Sequence, residues 1–303
     1  MRGIYIEITG RFYSIISFIQ INVNLVQKDI VIFIYRKYKE ALSYMKKWFI
    51  SLGLVGALTL TGFGLTGVEK AEASGYTFTQ EEQEALNYIN KKRQDAGVAP
   101  LELDPYLTKA AQNHAGYLNT NGLIGHDEIK GKKGFTGESI DDRIQAVGGF
   151  GFVYTSEGTV NTSSYKGAVD FLVNAPYHRG SALNPNYNKV GFGKAGGKYV
   201  LKYGGTVDTE VKQKVRYPFN GQTNVPVSFY GASETPNPLS HLDIETSGFI
   251  ITYRQSDSYD YGFITQATLK DSKGNNVPIN YGEYIVGIIP LQVLKSGEKY
   301  TVS

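Results

Sequence analysis

Two histidines and one glutamate are the residues of this chain whose types could together bind a metal or a small ligand. They are His126 in the segment GLIGHDE, Glu157 in TSEGTV and His178 in NAPYHRG. Neutral imidazoles and a carboxylate are zinc-type ligands, and three protein ligands leave a fourth position for water. His126 and Glu157 lie 31 positions apart and His178 lies 21 further on. No local structure can bring them together, so only the overall fold could place them around one cleft.

The same residue types allow three functions. The cleft could bind a divalent cation such as zinc, or a small ligand. Alternatively, it could be a structural cluster in which both histidines form hydrogen bonds with Glu157. It could also be the active site of a metal-dependent hydrolase, since zinc-bound water can ionise near neutral pH. A hydrolase in which Glu157 binds the metal needs another residue as general base. Asp127 and Glu128, which follow His126 directly, are the only acidic residues close in sequence to the proposed ligands. There is no Cys nucleophile and no Ser in a G-x-S-x-G context, and we expect no organic cofactor.

The surroundings of these residues resemble the bacterial branch of the CAP superfamily, the domain of cysteine-rich secretory, antigen 5 and pathogenesis-related proteins. The resemblance runs from about Phe78 to Gly205. His126 matches the histidine after the first conserved helix, and Glu157 matches the glutamate of the family's G-E-N segment, which reads S-E-G here. His178 matches the histidine of the small-P-G-H-R segment, which reads A-P-Y-H-R here. Two following segments are also typical: L-N-P at 183–185 and V-G-F-G at 190–193.

The resemblance implies an α/β/α sandwich, with helices around a small antiparallel sheet, and a cleft lined by the matched residues. Eukaryotic members usually add a second glutamate a few residues before the second histidine. The equivalent position here is near Asn174 or Ala175. The second acid of the family pattern is therefore absent from this segment.

Three further side chains have alternative roles. Arg179 could bind an anionic ligand, or it could donate to a backbone carbonyl or to an acid such as Asp142. Tyr177 stands where the family has glycine and could line the cleft as an aromatic wall or serve in packing. His114 falls on the apolar stripe of a predicted helix, which favours a packed residue behind the site over a ligand.

A signal peptide is predicted at residues 45–73. Met45 is followed by two lysines, an apolar run from Trp48 to about Val68 and an A-x-A sequence at 71–73, which is the order of a secretory leader. We expect cleavage before Ser74. Because a signal peptide acts from the extreme N-terminus, residues 1–44 are interpreted as a spurious upstream extension. The alternatives are an unusually long leader, or an uncleaved leader as the only membrane attachment.

The charge distribution argues against a nucleic-acid partner. The formal net charge is +3, but residues 1–73 hold 9 of the basic and 5 of the acidic side chains. The remaining 22 basic and 23 acidic side chains give a net charge near −1. The expected mature chain therefore lacks the excess of basic residues that is typical of nucleic-acid-binding proteins. The expected mature chain also has no Cys, Met or Trp. It therefore needs no disulfides and offers few targets to oxidants.

Local signals predict helices and a hairpin in residues 74–210, the predicted CAP domain. Thr79 and Glu82 form a capping box, and Gly97 ends that helix. A second helix is predicted from Asp104, with Pro105 in its first turn. Two shorter helices are predicted at 139–147 and 164–173. Residues 190–203 predict a hairpin with glycines in the turn at 196–197.

An all-β sandwich is predicted for residues 211–303. Alternating patterns predict strands at 227–230, 248–253, 262–270 and 284–289, separated by turn clusters. The opening PFNGQTNVPVSF at 218–229 resembles bacterial immunoglobulin-like modules, which implies a spacer or adhesion role. His241 is interpreted as a surface or packing residue. Because residues 298–303 resemble the start of a strand, we expect this domain to be truncated by one strand, with an exposed sheet edge.

The sequence thus predicts a secreted protein, extracellular or associated with the cell surface, with a CAP domain and a C-terminal β module. We expect the ligand-binding residues to be His126, Glu157, His178, Tyr177 and Arg179, of which the two histidines and Glu157 would bind the metal. The expected partner is an extracellular ligand or a component of the cell envelope.

Overall fold

The computed structural model describes residues 76–207, 211, 213–255, 264, 266–282 and 287–303. The predicted upstream extension and signal peptide lie outside the described residues. Within the described part of the chain, no helix is long and apolar enough to cross a membrane.

The first part of the described chain contains five helices and four strands. The helices are α1 (Gln80–Asp95), α2 (Pro105–Asn121), α3 (Ile140–Gln145), α4 (Tyr165–Asn174) and α5 (Pro176–Ala182). The strands are β1 (Glu102–Leu103), β2 (Tyr154–Asn161), β3 (Lys189–Ala195) and β4 (Lys198–Gly205). They form one sheet in the order β1-β3-β4-β2, in which β1 is parallel to β3 and the other pairs are antiparallel.

The predicted helix caps are confirmed. Thr79 and Glu82 form the capping box of α1, and Asp104 accepts from two backbone N–H groups at the start of α2. Ser139 and Ser164 cap α3 and α4 in the same way. These short polar side chains satisfy N–H groups that have no partner within the helix, so they fix where each helix begins.

Helices pack on both faces of the sheet, and the alternation of β4 shows which residues face which layer. Val200 packs with α2 in one cluster, whereas Leu201 and Tyr203 belong to the larger core with α1 and α4. Because side chains alternate along a strand, Lys202 faces the same layer as Val200. On β3, a side chain at Gly191 or Gly193 would collide with the main chain of α2. These two glycines therefore allow α2 to lie directly on the sheet.

The C-terminal region has small antiparallel sheets in the described residues. Its strands are β5 (Lys214–Tyr217), β6 (Phe229–Tyr230), β7 (Thr246–Ser247), β8 (Ile251–Gln255), β9 (Leu269–Lys270), β10 (Ile279–Tyr281), β11 (Gly287–Pro290) and β12 (Thr301–Val302). One sheet has the order β10-β11-β8-β5, and β6-β7 and β9-β12 form two-stranded sheets. The predicted all-β sandwich is not confirmed. The final strand β12 pairs with β9.

The C-terminal region shares a core with the first part of the chain. Val215, Tyr217 and Phe249 are buried in the same cluster as residues of α1, α4 and the first sheet. Both regions belong to one compact unit, Lys70–Ser303. The C-terminal region can therefore contribute side chains to a site in the first part.

Candidate functional site

The site is built around a buried cross-strand ion pair. Glu157 on β2 lies opposite Lys202 on β4, and both side chains are fully buried. The Lys202 ammonium donates to Glu157 Oε2, and Arg143 of α3 donates to Oε1 at 3.3 Å. Burial alone would raise the pKa of Glu157. The Lys202 ammonium and the neighbouring histidine and arginine side chains outweigh that effect and lower the pKa to about 2. Glu157 is therefore ionised in the folded protein at neutral pH.

His126 stands in front of this ion pair. It follows α2, which ends in a left-handed cap at Gly122 (φ 65°), and it comes directly after Gly125 (φ 112°). Its Nδ1 lies 3.0 Å from Glu157 Oε1, and its side chain is 44% exposed. Because a carboxylate only accepts, Nδ1 carries the proton of this bond. The other ring nitrogen, Nε2, is then the one left to meet a ligand.

His114 lies behind the site, as its helical stripe predicts. It is fully buried, with Nδ1 2.9 Å from Glu128 Oε1 and Nε2 3.1 Å from the Gly125 carbonyl. Nε2 is also 3.4 Å from Glu157 Oε1. Glu128 accepts from the Thr136 N–H at 2.5 Å. His114 and Glu128 thus fasten the loop that carries His126. Burial lowers the pKa of His114 more than the two carboxylates raise it.

His178 lies beside His126 but has a different carboxylate partner. The two rings are 6.2 Å apart between centroids. His178 Nδ1 is 2.8 Å from Oε1 of Glu234, which belongs to the C-terminal region. The same oxygen accepts from the N–H groups of Tyr177 and His178, each at 2.9 Å. The alternative in which both histidines bond Glu157 is therefore wrong for His178.

The structure does not present the predicted three-ligand metal site. Both oxygens of Glu157 already accept hydrogen bonds from cationic or imidazole groups, so a metal bound by Glu157 would have to share or displace these donors. Among the described residues, no group of three or more His, Cys, Asp or Glu side chains could hold a metal ion. Of the three predicted metal ligands, only His126 and His178 keep a ring nitrogen that could bind a metal ion.

Arg179 donates to backbone carbonyls, as in the first of its structural alternatives, and does not serve as an anion-binding residue of the cleft. It is buried, and its guanidinium donates to the carbonyls of Val173, Asn174 and Ile250 and to the Thr252 hydroxyl. Its partner is not Asp142. Tyr177 is half-buried and contributes its main-chain N–H to Glu234. Neither residue brings a charged group to the space between the two histidines.

Sequence reasoning missed Lys202, Arg143 and Glu234, and it considered Glu128 only as a possible general base. The alternation of Tyr199, Leu201 and Tyr203 places Lys202 on the opposite face of β4, yet nothing in that pattern indicates that this face is buried. Glu234 is 56 positions from His178. It lies in a turn-rich segment whose composition predicts only a loop, so no local signal could have identified it.

We expect the protein to lose stability in acid. The pKa of His114 is lowered from 6.5, so the unfolded chain takes up this proton first, and stability is lost as the pH falls below about 7. The pKa of Glu157 is lowered from 4.5 to about 2. Its contribution, on the order of 3 kcal/mol, is present above about pH 5 and is lost as the pH falls towards 2.

Thermal unfolding between pH 8 and pH 4 measures this dependence. The midpoint should fall continuously on acidification, and His114→Gln should remove the part of the fall between about pH 7 and 5. The exposed His241 provides the control, since His241→Gln should keep the wild-type profile. A wild-type midpoint that stays constant or rises from pH 8 to pH 4 would contradict the prediction.

The first part of the chain matches a known family. A model of the cysteine-rich secretory protein (CAP) family matches residues 86–206. No curated protein matched the chain.

Three solved structures of bacterial proteins resemble 43% of this chain. An extracellular protein containing an SCP domain from Bacillus anthracis is 18% identical (TM-score 0.35, 44% of that chain covered). An outer surface protein from Borrelia burgdorferi is 22% identical (TM-score 0.35, 98% covered). A cysteine-rich secretory protein from Staphylococcus aureus is 16% identical (TM-score 0.34, 40% covered). The similarity thus spans less than half of the first and third of these proteins.

Proposed function

We propose that the CAP domain at residues 86–206 is an extracellular binding module that holds a divalent cation of the zinc type between His126 and His178. The observation that carries the proposal is the matched anchoring of the two rings. Each imidazole is fixed through Nδ1 by a buried carboxylate, and the rings lie 6.2 Å apart. Both side chains remain partly accessible, at 44% and 17% exposure.

The donor set suits such a cation. Neutral imidazole Nε2 atoms are good ligands for zinc, and a carboxylate on the other ring nitrogen orients the ring and raises its basicity. The described residues offer only two protein ligands, so the remaining positions would be taken by water or by groups of a second molecule. We therefore expect weaker binding than at a closed structural zinc site, and a role in capturing a ligand that shares the cation.

The hydrolase alternative has less support. A general base works best when its pKa is near the operating pH, whereas the pKa of Glu157 is lowered to about 2. Glu128 is buried and accepts from Thr136, Gly137 and His114. Neither carboxylate is therefore placed to activate water in the cleft. Secretion, which either function requires, rests on the leader predicted at residues 45–73.

Calorimetric titration of residues 74–303 with zinc at neutral pH tests the proposal. We expect the wild-type protein to bind one zinc ion, and His126→Ala or His178→Ala to weaken the affinity at least about tenfold, since each removes one of two ligands. His241→Ala is the matched control and should bind as the wild type does. Absence of zinc binding by the folded wild-type protein would refute the cation site and leave a hydrogen-bonded structural cluster.

A further inference from the structure

We propose that Glu234 is a positioning residue for His178, so that the C-terminal region supplies a carboxylate that completes the cleft of the CAP domain. Glu234 lies beyond the residues 86–206 that match the family. It takes the functional place of the acid that is absent near Asn174. The inference rests on the proposed function only for its consequence in cation binding, because the geometry of the His178 ring can be measured without any metal.

The contacts of Glu234 converge on one atom. Its Oε1 accepts from the Tyr177 N–H, the His178 N–H and His178 Nδ1 at 2.9, 2.9 and 2.8 Å. The two N–H groups lie in the first turn of α5, where Ala175 has no side chain that could cap the helix. Glu234 therefore fixes the backbone of His178 and its ring together. With the proton of the ring held at Nδ1, Nε2 presents its lone pair.

Capping alone does not account for this residue. A neutral Ser or Asn at the N-cap satisfies the same N–H groups without burying a charge. Glu234 instead has a fully buried side chain, and its Oε2 has no hydrogen-bond partner among the described residues. Burying an ionised carboxylate in this way is unfavourable for folding. What a carboxylate adds over a neutral cap is a strong acceptor for an imidazole N–H, as in the carboxylate–histidine pairs of metal sites.

The matching arrangement at His126 supports the same conclusion. There the carboxylate is Glu157, which belongs to the CAP domain itself and also lies on Nδ1. The two rings therefore have equivalent supports from different regions of the chain. A CAP domain without the C-terminal region would keep an oriented His126 but lose the orientation of His178.

Long-range ¹H–¹⁵N spectra of the imidazole rings test the proposal at about pH 8.5, where free imidazoles are neutral. In the wild-type protein we expect His178 to carry its proton on Nδ1. Glu234→Ala should move the proton of His178 to Nε2 and leave His126 unchanged as an internal control. Glu234→Gln should retain the Nδ1–H form, because the amide oxygen can accept the same bond. The exposed Glu245 gives a matched control, Glu245→Ala.

Zinc titration of the same variants reports the consequence. Glu234→Ala should lower the affinity by about 10- to 100-fold, and Glu234→Gln should recover much of that loss. A His178 ring that carries its proton on Nε2 in the wild-type protein, or one that is unchanged in folded Glu234→Ala, would overturn the proposal. If Glu234→Ala does not fold, the tautomer of His178 in the wild-type protein decides whether Glu234 positions the ring. If the wild-type protein binds no zinc, the cation site fails, whereas the tautomers still decide the role of Glu234.

Discussion

Replacement of Lys202 by methionine is expected to lower the free energy of unfolding by about 3–5 kcal/mol, because it leaves the buried Glu157 carboxylate without its main countercharge. Both side chains are fully buried, and Lys202 donates to Glu157 Oε2. Methionine fills a similar volume, so the loss measures the missing charge rather than a cavity. Urea unfolding of the wild type and of Lys202→Met gives this difference directly.

Two further variants separate the charge effect from general damage to β4. Lys198→Met, at the start of the same strand, is the matched control and should change stability by less than about 1 kcal/mol. The double variant Lys202→Met with Glu157→Gln should be more stable than Lys202→Met alone, since it no longer buries an uncompensated charge. Equal stability of Lys202→Met and the wild type would contradict the ion-pair account of the site.

Replacement of Arg179 by leucine should cost a similar amount, roughly 3–5 kcal/mol, because it leaves several buried carbonyl oxygens without their hydrogen-bond donor. The guanidinium donates to the carbonyls of Val173, Asn174 and Ile250, which would lose these partners. It also lies 4.7 Å from the Tyr217 ring centroid and 4.9 Å from that of Phe249. Burial lowers the pKa of Arg179 to about 10, so it remains charged at neutral pH.

The control for Arg179 is another arginine above an aromatic ring. Arg216 lies 5.7 Å from the Tyr253 ring centroid but is exposed, so Arg216→Leu should cost less than about 1 kcal/mol. Denaturant unfolding compares the free energies of unfolding of Arg179→Leu and Arg216→Leu. Because Arg179 joins α5 to the backbone of the C-terminal region, Arg179→Leu should also increase hydrogen exchange there. If both variants lose the same small amount, Arg179 does not hold the two regions together.

Helices α1 to α4 could be predicted because their signals are local, whereas α5 has no side-chain cap to mark its start. Thr79, Asp104, Ser139 and Ser164 each cap a helix within three residues of themselves, and the two glycines at 196–197 turn the hairpin. Strand β2 was missed. The residues on the same face as Glu157 are Thr155 and Thr159, so the strand lacks the apolar alternation that marks a half-buried strand.

The C-terminal region was harder to predict because its arrangement depends on distant partners. Alternation indicated strands near 248–253 and 284–289, but it could not show that Phe249 packs into the core of the first part of the chain. For the same reason the sequence could not show which carboxylate contacts each cleft histidine. His126 and Glu157 are in contact, whereas the partner of His178 comes from a loop with no recognisable pattern.

His126 and His178 are proposed to bind one cation together through Nε2. Imidazole ¹H–¹⁵N spectra recorded with and without one equivalent of zinc test this shared binding most directly. The Nε2 signals of both histidines should move together while their Nδ1 atoms stay protonated, and the signals of His114 and His241 should not change. A response of only one cleft histidine, or a response of His241 instead, would contradict the shared site.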